Sequence, residues 1–600
     1  MKALYLISLL FSCLFDLFVL VLGKHTLLGW LLSILVFAGF VCFRSQDISK
    51  RSGLLRLAVW IGFFILLYVA CVISRPQIHS VPAVSDKDAK PTQVYRVKQG
   101  DLTGVYNADE SVEVFAGIPY AKPPVDDLRW KEPQDPVQWE GIRICDHFAP
   151  MSMQSRTNTI LSSLTDIFVY HRFHFTFTGN YLEPMSEDSL YLNIWKPADV
   201  HSDMPVLFFI HGGSLTGGQT SFDAYNGEYL ASQGIIVVNC AYRLNIFGYY
   251  ANSELAEESL NGTTGNYGLL DQIHALKWVH DNIEVFGGNP NNITIAGESA
   301  GSSSVNAICV SPLAKGLFRR AIAESSGITP KDPYHTFRSL ERALDIGSKI
   351  MEEFGAQNID DLRAVPAEEL LHTDYPNNAM TVDGYAIIEQ PYLTYQKHEN
   401  NEEALLNGFN KHEADLFNLF TKVTTDSYEE LLIPVLGNRA AEAAILFPPE
   451  EVDPSYKVIV ERGGDAKGAF NKVYSAAWFT YSHFDWSRYI SNESKPVYMY
   501  YFSKDNRGIG SNHSGEMAYF FGNLNKHASL YTVEDEELSS IMSEYWLNYI
   551  RCGDPNNGSL PDWEIYDPKK YNVMEFGSET CMITDPFSCL YELFDSYQNS

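Results

Sequence analysis

The passage 292–310 restricts the fold of this chain more than any other. An apolar strand-like run (NITIA, 292–296) leads through Gly297-Glu298-Ser299-Ala300-Gly301 into a helical stretch of small residues at 300–310. Bending a strand directly into a helix strains the backbone, and glycines two residues either side of the bend leave room for it. The serine is lifted clear of the sheet edge, at the positive end of the helix. Other continuous apolar runs lie at 205–210 (PVLFFI) and 234–241 (GIIVVNCA), as expected of strands buried on both faces. Between these and the serine turn, residues 269–286 carry apolar side chains at helical spacing. Further strands are expected at 404–409 and 497–502, and a long helix at 535–551. Strand–helix alternation of this kind predicts an α/β fold with a mostly parallel central sheet and helices on both faces. No internal repeat accompanies it.

The first 75 residues are a different material. Apolar runs at 4–22, 26–43 and 57–73 each approach the roughly 20 residues that cross a bilayer as a helix, so three transmembrane helices are expected. Arg44, Lys50, Arg51 and Arg56 lie between the second and third runs, against Lys24 alone between the first and second. Positive charge stays on the cytoplasmic side, which predicts a multi-pass cell-membrane protein with everything after Arg75 on the extracytoplasmic side. Asp16 lies within the first run, and no role is assigned to it. Residues 76–94 are rich in Pro, Ser and charge and read as a linker. The expected division is an anchor at 1–75, a linker at 76–94 and one large domain at 95–600.

The whole chain has 44 Lys+Arg against 74 Asp+Glu. Setting aside the 7 basic and 2 acidic residues of 1–75 leaves 37 basic against 72 acidic, a charge of −35. Such a surface repels phosphate backbones and anionic lipid headgroups, which argues against nucleic acid as a partner. Nine cysteines in 600 residues are too sparse for a dense disulfide framework.

A lone G-x-S-x-G is weak evidence, and its setting strengthens it. Residues 205–210 run into His211-Gly212-Gly213-Ser214, a glycine-rich loop able to aim N–H groups at a developing oxyanion. The N–H of Ala300 is a natural third donor. From here the chain resembles the type-B carboxylesterase and cholinesterase family of α/β-hydrolases. The resemblance is carried by Phe115-Ala116-Gly117-Ile118-Pro119-Tyr120-Ala121, by 186–197 (SEDSLYLNIWKP), by 265–272 (GNYGLLDQ) and by 286–290 (FGGNP). Residues 317–327 (LFRRAIAESSG) and Gly553-Asp554-Pro555-Asn556 complete the set, spanning roughly 95–580 in order. The three apolar runs lie outside it.

The family places its acid in a G-x-N-K-x-E segment and its histidine in an H-x-x-E-x-x-x-x-F-G segment. They match Gly408-Phe409-Asn410-Lys411-His412-Glu413 and His513-Ser514-Gly515-Glu516, followed by Phe521-Gly522. The resemblance thus implies a triad of Ser299, Glu413 and His513, with oxyanion donors at Gly213, Ser214 and Ala300. His513 is the expected general base and Glu413 the acid that orients it. His412 falls at a variable position and is expected to be exposed. The Glu298 side chain is expected to point away from the nucleophile into a supporting hydrogen-bond network.

Two departures stand out. The family loop reads H-G-G-G, and its third glycine is Ser214 here. The family also joins two cysteines at positions that are Ser152 and Ser189 in this chain. Losing both together, with an outward-facing domain, points to a bacterial cell-surface enzyme. The sequon Asn512-His513-Ser514 agrees, since a glycan there would crowd the histidine. Cys581 and Cys589 are either bridged or reduced. Between the two serines, 167–177 (IFVYHRFHFTF) holds five aromatic residues that either pack on the domain or cover an apolar substrate. It has no tryptophan, which disfavours choline esters. The resulting expectation is a membrane-anchored serine carboxylesterase acting on small-molecule esters, with no metal or organic cofactor. The alternative is a non-catalytic membrane-anchored adhesion or binding module of the same fold, and action on amides or thioesters stays open. Acyl and alcohol preference and oligomeric state are not encoded in any motif.

Overall fold

The computed structural model describes residues 2–45, 53–76, 84, 89–156, 160, 164, 183–199, 202–449, 464–506 and 509–599. The aromatic segment 167–177 and most of 76–94 lie outside the described residues. The chain divides into two compact units, one containing the N-terminal helices and one containing the bulk of the chain.

In the first unit, the helices α1 (Lys2–Leu22), α2 (Leu27–Ser45) and α3 (Gly53–Ile73) follow one another. Rings of Phe40, Trp60 and Phe63 pack together, with Phe40 and Phe63 4.4 Å apart. The turn after α1 is tied to the end of α3, because Thr26 N donates to Ser74 O at 3.0 Å. Two of the helices, over Tyr5–Leu22 and Gly53–Ile73, are long and apolar enough to cross a membrane. The middle apolar stretch, Leu27–Phe43, is shorter. At 1.5 Å per residue it spans about 26 Å, against a hydrocarbon core of about 30 Å. The expectation of three transmembrane helices is therefore corrected to two of full length and one shorter apolar helix.

The second unit is built on an eleven-stranded sheet. Its strands are β1 (Val105–Tyr106), β2 (Val112–Pro119), β3 (Tyr191–Pro197), β4 (Met204–Ile210), β5 (Ile236–Cys240), β6 (Gly288–Glu298), β7 (Arg320–Glu324), β8 (Ala404–Asn410), β9 (Val497–Phe502), β10 (Asn572–Phe576) and β11 (Thr580–Thr584). They lie in the order β11-β10-β9-β8-β7-β6-β4-β5-β3-β2-β1. From β5 to β10 every pairing is parallel, and both edges are antiparallel. This is the α/β-hydrolase arrangement expected from the sequence.

Both faces are covered, which accounts for the continuous apolar runs. Val206, Phe208 and Ile210 enter one core with Val238, Ile295, Ala323 and Leu405. Leu207 and Phe209 enter the other, with Val237, Ala296, Ile322 and Leu406. The helices that bear on the site are α4 (Tyr267–Asn282), α5 (Ala300–Val310), α6 (Lys467–Ser475), α7 (Tyr481–Asn492) and α8 (Val533–Cys552). The expected helix at 269–286 is α4 followed by a tight 3₁₀ turn, Ile283–Phe286. Likewise α8 begins earlier than the apolar spacing suggests, because Thr532 and Asp535 form a reciprocal capping box.

Candidate active site

Ser299 is the hinge between β6 and α5. Its backbone sits at φ 56°, ψ −127°, a conformation few residues with a Cβ adopt. The turn is held from β7, where Glu324 O accepts from Ser299 N at 2.8 Å. The flanking glycines are required by space. A Cβ on Gly297 would lie 2.5 Å from the Gly301 carbonyl carbon, and one on Gly301 would lie 2.1 Å from Ile210 O. Ser299 and His513 are both nearly buried, at 9% and 8% exposure.

Glu413 follows the end of β8 and His513 lies in the loop after β9, its parallel neighbour in the sheet. His513 Nδ1 lies 2.5 Å from Glu413 Oε2, and the other oxygen, Oε1, accepts from Asn410 N at 2.7 Å. Glu413 is fully buried. The opposite ring nitrogen, Nε2, makes no hydrogen bond among the described residues. It lies 3.3 Å from Glu298 Oε1, and no hydrogen bond links it to the Ser299 hydroxyl. Thus the structure joins acid to histidine directly, and histidine to the serine turn through the neighbouring residue.

Glu298 does enter a hydrogen-bond network, accepting from Ser514 Oγ at 2.5 Å, but it also flanks the His513 ring. Sequence reasoning missed what lies around it. Glu298 and Glu324 are register partners on β6 and β7, and both are buried with Glu516. Trp546 Nε1 donates to Glu324 Oε1 at 3.0 Å, while Asn410 Nδ2 donates to Glu516. Burial raises the carboxyls of Glu298 and Glu324, with like charges adding to it, and raises that of Glu516 to about 8. Burial alone would lower the His513 imidazole. The Glu298, Glu413 and Glu516 carboxylates outweigh it and hold its pKa up at about 9. A sequence signal for Glu324 existed: it closes the apolar run RAIAE, where a solvated carboxylate has no place.

The glycine-rich loop lies against the serine turn. A Cβ on Gly212 would come within 2.9 Å of Ser299 Cβ. Ser214 sits at φ 55°, a conformation that favours glycine, so the H-G-G-S variant keeps the loop geometry at some backbone strain. Among the described residues, the N–H groups of Gly213, Ser214 and Ala300 donate to no protein acceptor. His211 anchors the loop from behind: its ring stacks on Tyr242 at 4.6 Å, and its carbonyl accepts from Tyr242 Oη at 2.8 Å.

Aromatic rings cover the other side of His513. Phe479 lies 4.8 Å and Phe417 5.2 Å from its ring, between centroids. Phe479 belongs to a π-helical turn, Ala476–Thr480, that interrupts α6 and α7. The expected exposure of His412 is corrected. It is buried because its N–H donates to Ser511 O at 2.9 Å, folding the residue in beside the His513 segment. Ser152 and Ser189 remain neighbours, their hydroxyls 3.0 Å apart, and Ser152 Oγ also donates to Tyr242 O at 2.7 Å. Cys581 and Cys589 are not joined by a disulfide. Among the described residues no group of three or more His, Cys, Asp or Glu is arranged to hold a metal ion.

A model of the carboxylesterase family matches residues 91–589. The chain is 31% identical over 514 residues to the human cocaine esterase, covering 78% of this chain and 85% of that protein. It is 30% identical over 521 residues to the fumonisin B1 esterase of Sphingopyxis macrogoltabida, covering 83% and 89%. Among solved structures, the Geobacillus stearothermophilus carboxylesterase EST55 superposes with a TM-score of 0.69 at 30% identity, covering 84% of this chain and all of that one. With this coverage and this fold, the chain belongs to the carboxylesterase family and is a carboxylic ester hydrolase.

Proposed function

We propose that the enzyme works through an acyl-enzyme on Ser299, with His513 as general base and Glu413 as its orienting acid. The observation that carries this reading is the 2.5 Å contact between His513 Nδ1 and Glu413, which leaves Nε2 beside the serine turn without a hydrogen-bond partner among the described residues. The Ser299 hydroxyl attacks the ester carbonyl carbon as its proton passes to Nε2. The carbonyl oxygen, now negative, is received by the N–H groups of Gly213, Ser214 and Ala300. The bond to the alcohol then breaks, and His513 returns the proton to the departing oxygen. Water repeats the sequence on the acyl group and frees the serine. The Nε2–hydroxyl bond absent here forms as substrate binds, since such bonds tighten in the Michaelis complex. Glu413 fixes the imidazole tautomer and stabilises the imidazolium.

The division into an anchor at 1–75, a linker at 76–94 and a hydrolase domain at 95–600 belongs to the same proposal. The N-terminal helices anchor the enzyme in the cell membrane, and the excess of Arg and Lys after the second helix keeps that segment cytoplasmic. The hydrolase domain then faces the extracytoplasmic side, where it meets small-molecule esters. Substituting Ser299→Ala tests the chemistry. Turnover of p-nitrophenyl butyrate should fall at least a thousandfold with the melting temperature unchanged. Hydrolysis at the wild-type rate would refute the assignment.

A further inference from the structure

Helix α6 presents three polar side chains on one face: Lys467, Asn471 and Ser475, at i, i+4 and i+8. All three are buried. Each holds part of the segment that follows the triad acid. Ser475 Oγ accepts from Ala414 N at 3.0 Å. Asn471 Nδ2 donates to Asp415 Oδ1 at 2.9 Å. Lys467 Nζ reaches farthest, donating to Asn418 O and, at 2.7 Å, to Thr421 O. The face therefore grips four successive points between Ala414 and Thr421.

The gripped segment carries Phe417, whose ring stands edge-on to His513 and packs on Phe479 at 5.6 Å and Trp478 at 6.1 Å. Trp478 and Phe479 come from the π-helical turn that directly follows α6. The stretch from α6 through this turn thus places the Phe479 ring beside His513 and clamps the loop that supplies another. Phe417 keeps about half of its surface exposed despite these contacts, as a residue lining an open cleft does. His513 hands its proton to the departing alcohol, so rings packed against it border the alcohol half of an ester.

We propose that Lys467, Asn471 and Ser475 are positioning residues that set the Phe417 wall, so that preference for esters of flat aromatic alcohols depends on a lysine that never touches substrate. This rests on the assignment of His513 as general base. Lys467 is buried under the segment, and among the described residues no other side chain donates to those two carbonyls. Removing it leaves Thr421 O without its side-chain donor and Asn418 O with only the Thr421 N–H, at 2.9 Å, and so frees the far end of the loop. Phe417 then loses its fixed place, and a large planar alcohol loses a stacking partner.

The test compares 2-naphthyl acetate with phenyl acetate on the full-length enzyme in detergent. The two esters share the acyl group and have leaving groups of similar acidity. Phe417→Ala should lower the naphthyl-to-phenyl ratio of kcat/KM by roughly fivefold. Lys467→Met should lower it in the same direction, through KM for the naphthyl ester, and by less than about twofold once Phe417 is already alanine. An unchanged ratio for Lys467→Met, or a drop equally large in the Phe417→Ala background, overturns the proposal. Should Lys467→Met not fold, Asn471→Ala decides, with a smaller fall expected and an unchanged ratio again contrary. If His513→Ala hydrolyses both esters at the wild-type rate, the assignment of His513 fails as well. If it hydrolyses both and the ratio ignores Lys467, only this inference fails.

Discussion

At the scale of single residues, the tension in this site is between a histidine that, as the proposed base, must be neutral to work and the carboxylates around it. Glu298 lies 3.3 Å from Nε2, the atom proposed to accept the serine proton. A negative Glu298 favours the imidazolium, and with Glu413 and Glu516 it holds His513 at about 9. Activity should therefore climb with pH as His513 becomes neutral. Glu298→Gln removes one of the charges stabilising the imidazolium, so the histidine pKa falls and the ascending limb of kcat/KM moves to lower pH. A limb that stays in place, or moves to higher pH, would show that Glu298 does not carry that charge in the resting enzyme. Glu413→Gln differs in kind. It keeps the shape but loses the partner that sets the tautomer, and kcat should drop by roughly two to four orders of magnitude in a steady-state assay.

At the scale of elements, the serine pair shows what the sequence can and cannot tell. Ser152 and Ser189 are 37 positions apart and meet at 3.0 Å. Replacing both with cysteine and oxidising should raise stability by up to about 4 kcal/mol over the reduced form, judged by urea unfolding with and without reductant. No gain would mean that the two backbones are not poised to be bridged. The strands β4, β6, β8 and β9 were legible because burial on both faces writes an unbroken apolar run. The serine turn was legible because its motif is fixed by backbone geometry, as the clash distances at Gly297 and Gly301 make plain, whereas Glu413 and His513 were picked out only by resemblance to the family's motifs. Side chains that act only across the fold were not legible. Glu324 reaches the site through its register with Glu298, Phe417 and Phe479 through a loop and a π-helical turn, and Lys467 through carbonyls some fifty residues away. Likewise His412 was misjudged because its burial comes from a bond to Ser511, a contact no local pattern records.

At the scale of the whole molecule, an apolar N-terminal unit is joined to a strongly acidic hydrolase. Two full-length apolar helices predict that the protein stays with the membrane pellet after a carbonate wash and leaves it only in detergent. Release by carbonate alone would contradict anchoring. Protease treatment of intact cells addresses orientation, since an extracytoplasmic domain is cleaved and a cytoplasmic one is protected. The chemistry is settled elsewhere, by the mass of the enzyme quenched in acid within its first turnovers on p-nitrophenyl butyrate and of the peptides obtained from it by digestion with pepsin. A covalent butyryl group on the peptide containing Ser299, absent in Ser299→Ala, is the result predicted here. A rapidly turning-over enzyme with no acyl group on that peptide, or with one on another residue, would contradict the account.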